Sequence, residues 1–442
     1  MTDTRIIVLD DDPTGSQTVH GCLLLTRWDV ATLREALADA APLFFVLTNT
    51  RGMDAERAAS ITREVCRNLK AALAGSNIQP VLVSRSDSTL RGHYPVETDV
   101  IAEELGPFDA HFLVPAFFEG GRTTRDSVHY LRVNGVDVPV HETEFAQDSV
   151  FGYRHSYLPD YVAEKTQGRI PASAVRRFTL RDIRAGVRDQ LLHLENNVCC
   201  VVDAELPDDL ARFTQDVLAA TRVGKRFLFR SAASLLTALA QLPPQPVVAE
   251  SMGQYTRKAR PGAVIVGSHV AKSSRQLALL LEAPGVAGVE VDVSRLPDAR
   301  EAVLAQVCET VNRIHTAGKT AVVYTSRTER QFADQATRLA FGEAVSNLLM
   351  DVVRRLPEDL GFLISKGGIT SNDVLSSGLA LRSARVLGQV APGVSVVRCP
   401  ADHPRFPDLP VVIFPGNVGE DDTLALVYRR FAGLQDARLQ PE

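Results

Sequence analysis

No C-x-x-C pair, no lysine-rich block and no apolar run near the roughly 18 residues of a membrane-crossing helix occurs in this 442-residue chain. Each absence removes a class of function. Six cysteines (Cys22, Cys66, Cys199, Cys200, Cys308, Cys399) lie scattered, which excludes a zinc-finger spacing or a disulfide framework and predicts buried free thiols. The 48 Lys and Arg are outnumbered by 53 Asp and Glu, leaving a net charge of -5 and no basic face for nucleic acid. The opening MTDTRIIVLD has no basic region followed by an apolar stretch and a small-residue cleavage site, so a cytoplasmic protein is expected. His93, His111, His129, His269 and His403 show no H-x-x-x-H spacing and read as structural residues, with His93, inside the RGHYP turn, the one considered for substrate contact. Both common phosphate fingerprints, G-x-x-x-x-G-K-[ST] and G-x-G-x-x-G, are also missing. What remains is a protein that handles a small molecule, with neither nucleic acid nor membrane as a partner.

What the chain does have is a repeated pattern of short apolar runs that end in polar residues. Hydrophobic content of 45% with 23% charge is ordinary for a globular protein, and the length predicts two or three domains. IIVLDDDPTG (from Ile6), PLFFVLTNTRG (from Pro42), QPVLVSRSDSTLRGHYP (from Gln79) and AHFLVPAFFEGGRTT (from Ala110) each read as a buried strand emptying into acids, arginines, hydroxyls and glycines. Helical patterns follow from Asp54 to about Ala74 and from Pro207 to Thr221, and VCCVVDAE (Val198 to Glu205) reads as a strand. Residues 125–160 have weak periodicity and read as a loop-rich insertion or hairpin. Near 243 the text changes: PPQPV and SMGQYTRKARPG (Ser251 to Gly262) read as a linker, which places a boundary near 250, within about ten residues. A second series follows, with VIVGSHVAKSSRQ, AVVYTSRT, a helix over about Glu329 to Leu356, FLISKGGITSND and VVIFPGNVGEDD. The fold class is therefore α/β, in two domains (1–250 and 251–442), each with a mainly parallel sheet flanked by helices.

In such sheets ligands gather at the carboxyl ends of the strands. There the first domain places Asp10, Asp11 and Asp12, three adjacent acids that repel one another unless a cation, a proton or a substrate occupies them. Arg51, Arg85, Arg91 and Arg122 fall just beyond strands too, and a guanidinium binds a carboxylate or phosphate through two parallel hydrogen bonds. Arg125 and Arg132 read instead as surface ion pairs, and Trp28 as a packing residue. In the second domain, Gly367 and Gly368 before Thr370, and Gly416, Asn417 and Gly419, suit phosphate oxyanions approaching main-chain N–H groups.

Two resemblances arise from these motifs. Asp10, Asp12 and Thr14 fit a D-x-D-x-T pattern that resembles haloacid-dehalogenase-type phosphatases, where the first Asp is the nucleophile and the second a general acid; no Lys-then-acidic-pair order follows downstream. The ordered series DDDPTG, TNTRG, SRSDSTLRGHYP, PAFFEGGRTT, VGSHVAKSSRQ, YTSR, KGGITSND and FPGNVGED resembles the four-carbon acid sugar kinase family from about Ile6 to Leu424. That resemblance implies a sugar-acid domain followed by a nucleotide domain, and ATP- and Mg²⁺-dependent phosphorylation of a tetronate, 3-oxo-tetronate or related acid in carbohydrate catabolism. It implies catalysis by Asp11 or Asp12, and substrate binding by Arg51 and by Arg85, Ser86, Asp87 and Ser88; Arg91, just beyond the same strand, joins the substrate set on the residues alone. For the nucleotide it implies Ser268, Gly367, Gly368, Ile369, Thr370 and Gly416, with Asn417 of the Gly416–Gly419 cradle added on the residues. Ile369 stands where the family carries an acid, so the Mg²⁺ ligands stay open, with Asp373 and Asp422 as stand-ins. A cleft closing between the domains and a homodimer are further expectations. A sugar-acid kinase, a phosphatase using Asp10 and Asp12, and a non-catalytic sugar-acid sensor remain as readings.

Overall fold

In the computed structural model, which describes residues 3–268, 270–326 and 335–434, the uninterrupted apolar runs become strands buried on both faces. The chain divides into two compact units, Met1–Pro244 and Gln245–Glu442. In the first, β1 (Asp3–Asp10), β2 (Leu23–Leu25), β3 (Leu43–Leu47), β4 (Ile78–Arg85) and β5 (Ala110–Val114) come before a small three-stranded meander, β6 (Arg122–Arg125), β7 (Val128–Val133) and β8 (Val136–Pro139). The strands β9 (Arg176–Phe178), β10 (Val198–Val202) and β11 (Phe227–Ser231) complete the main sheet. Its order is β2-β3-β1-β4-β11-β5-β10-β9, and every described pairing in it is parallel.

The helices α1 (Val30–Leu37), α2 (Ala55–Leu73), α3 (Val96–Leu105), α4 (Leu158–Lys165), α5 (Leu180–Ala185), α6 (Arg188–Leu192), α7 (Pro207–Arg222) and α8 (Ser234–Ala240) lie in the connections of this sheet. α2 shows why such a helix docks. Asp54 caps it, accepting from Arg57 N at 2.8 Å, and Ala58, Ile61, Val65, Leu69 and Ala72 form one buried stripe at three- and four-residue spacing. Ile61, Val65, Leu69 and Ala72 of that stripe pack with Phe44, Val46 and Leu82 in one core.

Direction of travel matters more than composition for locating a site. From β1 the chain goes out to β2, comes back to β3 beside β1, and then places β4 on the other side of β1. The gap between β1 and β4, which pair with Asp10 opposite Arg85, is a topological switch point, where loops diverge to opposite faces and leave a crevice.

The second unit repeats the device. Its elements are β12 (Ala263–Val266), α9 (Ala271–Leu281), β13 (Val286–Val291), α10 (Leu296–Thr316), β14 (Thr320–Thr325), α11 (Gln335–Arg354), β15 (Leu363–Lys366), α12 (Gly368–Asp373), β16 (Ser383–Ala391), β17 (Val394–Arg398), β18 (Pro410–Phe414) and α13 (Thr423–Ala432). Strand order is β13-β14-β12-β15-β18-β17-β16, and the switch point falls between β12 and β15. β17 runs antiparallel to both β16 and β18, so this sheet is mixed at one end.

Three expectations change. The stretch 125–160 holds the expected hairpin, β7 with β8, but then runs into the helix α4, tied in by Tyr153 and Tyr161, whose hydroxyls donate to Thr89 O (2.6 Å) and Leu90 O (2.8 Å). Ser251 to Gly262 is not a free linker: Met252 is fully buried in the core of the second unit, and a Cβ on Gly253 would overlap Arg430 O. Turn-rich composition there reflects two short 3-10 turns, which lack the 3.6-residue periodicity that marks a helix. The strand at 198 ends at Val202, three residues early, because Asp203 turns back to accept from Ser127 N at 2.8 Å. Of the long helix expected over 329–356, residues 329–334 lie outside the described residues. The six cysteines are free, and no described helix is long and apolar enough to cross a membrane.

Phe112 anchors the core of the first unit. Its ring stacks on Phe229 at 5.3 Å and meets Phe213 and Phe227 edge-on at 5.5 and 5.4 Å. Phe112→Ala is expected to lower the stability of that unit by about 3–5 kcal/mol. Urea unfolding of both proteins checks this, and a loss under about 1 kcal/mol would contradict the packing described.

Candidate active site

β1 and β4 end at the switch point in charged side chains and β3 is followed by a polar loop, and the structure sorts those side chains into layers. Asp10, the last residue of β1, lies underneath, fully buried, with Oδ1 3.3 Å from Arg85 Nη1. Its Oδ2 has no hydrogen-bond partner among the described residues. Burial pushes this carboxyl up to about 8, with the neighbouring Asp11 and Asp12 charges adding to the rise and Arg85 opposing it. Gly15 explains how the next turn passes so close: a Cβ at that position would overlap the Asp10 carboxylate.

Asp11 forms the middle layer. Arg51 grips it with both arms, Nε at 3.2 Å from Oδ2 and Nη2 at 2.5 Å from Oδ1, and Ser86 Oγ sits 2.5 Å from Oδ2. Burial works to raise the Asp11 pKa, but the Arg51 charge and hydrogen bond, followed by Arg230 and Arg85, outweigh it and hold the group below the usual carboxylate range. Asp11 is thus a fixed anion whose oxygens are engaged. Its main chain is pinned as well, with Asp11 N donating to Arg85 O (3.3 Å) and Arg51 N to Asp11 O (3.2 Å).

Asp12 is the outermost acid, with a side chain 21% exposed. One oxygen, Oδ1, accepts from Thr14 N (2.8 Å) and Thr14 Oγ1 (2.5 Å); the other, Oδ2, lies 3.4 Å from Arg51 Nη1. The turn PTGS that follows holds it in place, with Pro13 opening a short 3-10 segment that Asp12 caps.

The loop after β4 supplies the rest. Asp87 accepts from Thr89 Oγ1 and from Arg91 Nε (2.7 Å); burial raises its pKa, but the Arg91 and Arg51 charges bring it well below normal. Arg91 is half-buried, lies over the Phe145 ring at 4.9 Å and reaches Asp148 at 3.6 Å. Ser88 is buried, its carbonyl taken by His129 Nε2 at 2.7 Å. The Arg85 guanidinium, nearly fully buried against Asp10, is placed behind the loop rather than in it. His93 is likewise turned away, its Nε2 near the carbonyls of Thr50 (3.1 Å) and Met53 (2.9 Å). Arg122 donates to Gly120 O at 2.5 Å, and Arg125 and Arg132 pair with Asp137 at the surface, both at 2.9 Å.

Sequence reasoning missed Arg230. Within FLFRSAAS it reads as a polar interruption of a strand, yet β11 delivers it beside β4, where Nη1 bonds Ser84 Oγ (2.7 Å) and Glu97 Oε2 (2.5 Å). Glu97, itself buried, accepts from Thr50 Oγ1 at 2.6 Å, so the loops after β3 and β4 share one ionic network. Ser86, Asp87, Arg91, Arg230 and Ser231 line a small cavity together with Tyr94 and Tyr161. A larger cavity of about 600 Å³ lies between Thr18 and α8, with Glu119 the one charged residue of its lining.

In the second unit the switch point collects Ser268 after β12, Gly367 to Thr370 after β15, and Gly416 and Asn417 after β18. Gly367 has φ +116°, open only to glycine, and Ser268 Cβ and Thr370 Oγ1 crowd its missing Cβ at 3.1 and 3.2 Å. No side chain caps α12; Ser371 N is the first amide to close on Gly367 O (2.9 Å), which leaves those of Gly368, Ile369 and Thr370 for another acceptor. Ile369 is 69% exposed. Among the described residues no group of three His, Cys, Asp or Glu could hold a metal ion. His269 lies outside the described residues.

Layered acids at the switch point of the first unit and glycine loops at that of the second fall within two family models, matched in that order: a sugar-binding N-terminal domain over residues 6–239 and a nucleotide-binding C-terminal domain over 263–424. The chain belongs to the four-carbon acid sugar kinase family.

A D-threonate kinase of Bordetella bronchiseptica is 31% identical over 39% of this chain and 43% of its own length, and a D-erythronate kinase of Heliobacterium modesticaldum 27% over 39% of each. The chain thus matches less than half the length of either. A D-threonate kinase of Cupriavidus necator is 26% identical over 98% of both chains. Solved structures share the fold: a Salmonella typhimurium protein (TM-score 0.70, 19% identity, 97% of this chain and 99% of that one) and a Haemophilus influenzae protein (0.65, 16%, 96% and 100%).

Asp10 gives a pH signature. Its pKa lies above the value in an unfolded chain, so the stability it contributes is fully present below about pH 4 and is lost as pH rises to about 8. Asp10→Asn, which cannot ionise, is expected to unfold at higher denaturant than the wild type at pH 8 and to lose that advantage toward pH 4. Equal pH profiles for the two proteins would refute the buried, protonated state.

Proposed function

We propose that this chain is a kinase that transfers the terminal phosphoryl group of ATP to a hydroxyl of a small sugar acid, a tetronate, 3-oxo-tetronate or related branched acid. The observation that carries the reading is the division of labour among the three aspartates: one fully buried with its carboxyl pushed up to about 8, one locked by Arg51, and one, Asp12, partly exposed and braced. Phosphoryl transfer needs little covalent chemistry from the protein; it needs a hydroxyl held in line, a proton acceptor and neutralised charge. Asp12 would take the hydroxyl proton as the oxygen attacks the γ-phosphorus and the bond to the bridging oxygen of ADP breaks. Thr14 fixes its carboxylate through Oδ1, leaving Oδ2 toward the solvent-exposed side and Arg51. The fixed negative charge of Asp11 keeps the Arg51 guanidinium oriented, and Arg91 and the Ser86–Asp87–Ser88 loop offer the donors and acceptors that a polyhydroxy acid requires.

The main-chain amides after Gly367 and around Gly416 fit nucleotide phosphates. Mg²⁺ fits as an ion held chiefly by those phosphates and water, since the described residues form no three-ligand centre; it would supply charge neutralisation. The named kinase relatives support the same reaction class, one of them over nearly the whole chain.

The phosphatase reading fares worse on physical grounds. It needs Asp10 as an ionised nucleophile, yet that carboxyl is fully buried beneath Gly15 and pushed up to about 8. A sensor is separated by experiment: incubation with γ-labelled ATP, Mg²⁺ and a panel of four-carbon and branched sugar acids should move label onto an acid, whereas saturable binding without turnover would overturn the kinase. Asp12→Asn is expected to cut transfer by at least about 100-fold while leaving ADP affinity nearly intact. Unchanged turnover would remove Asp12 as the base.

A further inference from the structure

Lys366, the last residue of β15, is fully buried, and among the described residues no carboxylate pairs with it. Its ammonium donates to Pro415 O at 2.5 Å and Gly416 O at 3.2 Å, and lies 4.1 Å from the centre of the Phe414 ring. A cation taken out of water without an anion is unfavourable, and carbonyls with one aromatic face compensate only in part. The charges around it do not repair this. Lys272 on α9 is a like charge; on the loop and α12, Asp421 is engaged by Arg275 at 3.0 Å and Asp373 by Ser346 Oγ, while Glu420 and Asp422 make no ion pair with Lys366. Burial first, and Lys272 second, push the ammonium down to about 7.

The partners of Lys366 show what the charge is for. The loop from Pro415 to Glu420 has its carbonyls tied inward by side chains: Ser273 Oγ to Gly416 O (3.0 Å), Gln276 Nε2 to Val418 O (3.0 Å) and Glu420 O (2.8 Å), and Lys272 Nζ to Gly419 O (3.1 Å). With Lys366 beneath the first two, that accounts for every carbonyl of the segment but that of Asn417. The amides of Gly416, Asn417 and Gly419 have no acceptor among the described residues. A peptide whose carbonyl is drawn inward presents its N–H outward, so the loop is an anion-binding concavity backed by a cation that lacks its anion.

We propose that Lys366 is a positioning residue for the nucleotide: it holds the Pro415–Gly416 carbonyls so that the loop amides face the phosphates, and the bound phosphates supply its missing counter-charge. The inference rests on the nucleotide reading of the second unit and adds a linkage to it. In the free protein the ammonium gives up its proton as pH rises through about 7; bound phosphate favours the charged form, so binding above that pH takes up a proton.

Calorimetric titration of the full chain with ADP and Mg²⁺ from pH 6.5 to 8.5, in buffers of differing ionisation enthalpy, tests this. Near pH 8 the phosphates of ADP are already ionised and contribute nothing. Wild type is expected to take up close to ~1 proton per ADP there, and its affinity to fall up to about tenfold per pH unit above 7. Lys366→Met should bind ADP at least about tenfold more weakly at pH 6.5 and take up no proton at pH 8. ADP binding to wild type without proton uptake overturns the proposal with no variant needed, as does equal uptake by a folded Lys366→Met. Failure of wild type to bind ADP at any pH would overturn the nucleotide reading itself, and this inference with it.

Discussion

The two-pronged grip of Arg51 on Asp11 is the contact on which the first unit's site depends. Asp11 follows β1, Arg51 follows β3, and Ser86, which completes the shell, follows β4, so one carboxylate joins three strand ends. Asp10 and Asp12 take their roles from that arrangement. With Asp11 committed to Arg51, Asp10 stays below it as a buried carboxyl that burial and the two neighbouring acids push up to about 8, and Asp12 is the most exposed of the three. Adjacent identical residues acquire different chemistry because the chain direction at a strand end turns each to a different depth.

A buried ion pair is weak evidence for stability, because desolvation offsets much of its attraction. Its value here is geometric. Asp11 fixes the guanidinium plane, and with it the one Arg51 nitrogen that reaches Asp12 at 3.4 Å. Behind it, Arg230 with Glu97 repeats the pattern, and Arg85 lies 3.3 Å from the buried Asp10 carboxyl. Three arginines and their acids therefore hold the crevice between β1 and β4 in one arrangement, while Arg91 and Asp12 remain at its accessible side.

The parallel strands were legible because continuous runs such as LFFVL and VLVS are buried on both faces, and helices such as α2 because cap and stripe are both local signals. What escaped was set by tertiary context. SARVLGQVAPGVSVVR alternates small and polar residues and carries a Pro-Gly turn, yet it forms the antiparallel pair β16 and β17. The acidic cluster could be seen, but not which acid would be exposed, since that depends on Gly15 closing over Asp10. Arg230 and Lys366 were obscure for a shared reason: each is a cation at the end of an apolar strand, and only the neighbouring strand shows what it faces. In TNTRG and SRSDST the chemistry is spelled in the loop; in FLFRS and FLISK it is hidden in the strand.

The tethering of the 415–420 segment by Ser273, Gln276, Lys272 and Lys366 bears on how a loop so rich in glycine can still be an ordered receptor. Glycine maximises the number of conformations an unfolded backbone can visit, and the loss of that freedom is a penalty that has to fall at some stage. Here the tethers come from a helix and a strand that form with the core, so the penalty falls during folding and not on arrival of a ligand. Glycine thereby contributes its small size to the cradle without contributing its floppiness, and the free energy of an incoming phosphate can go into contact rather than into ordering the chain that receives it.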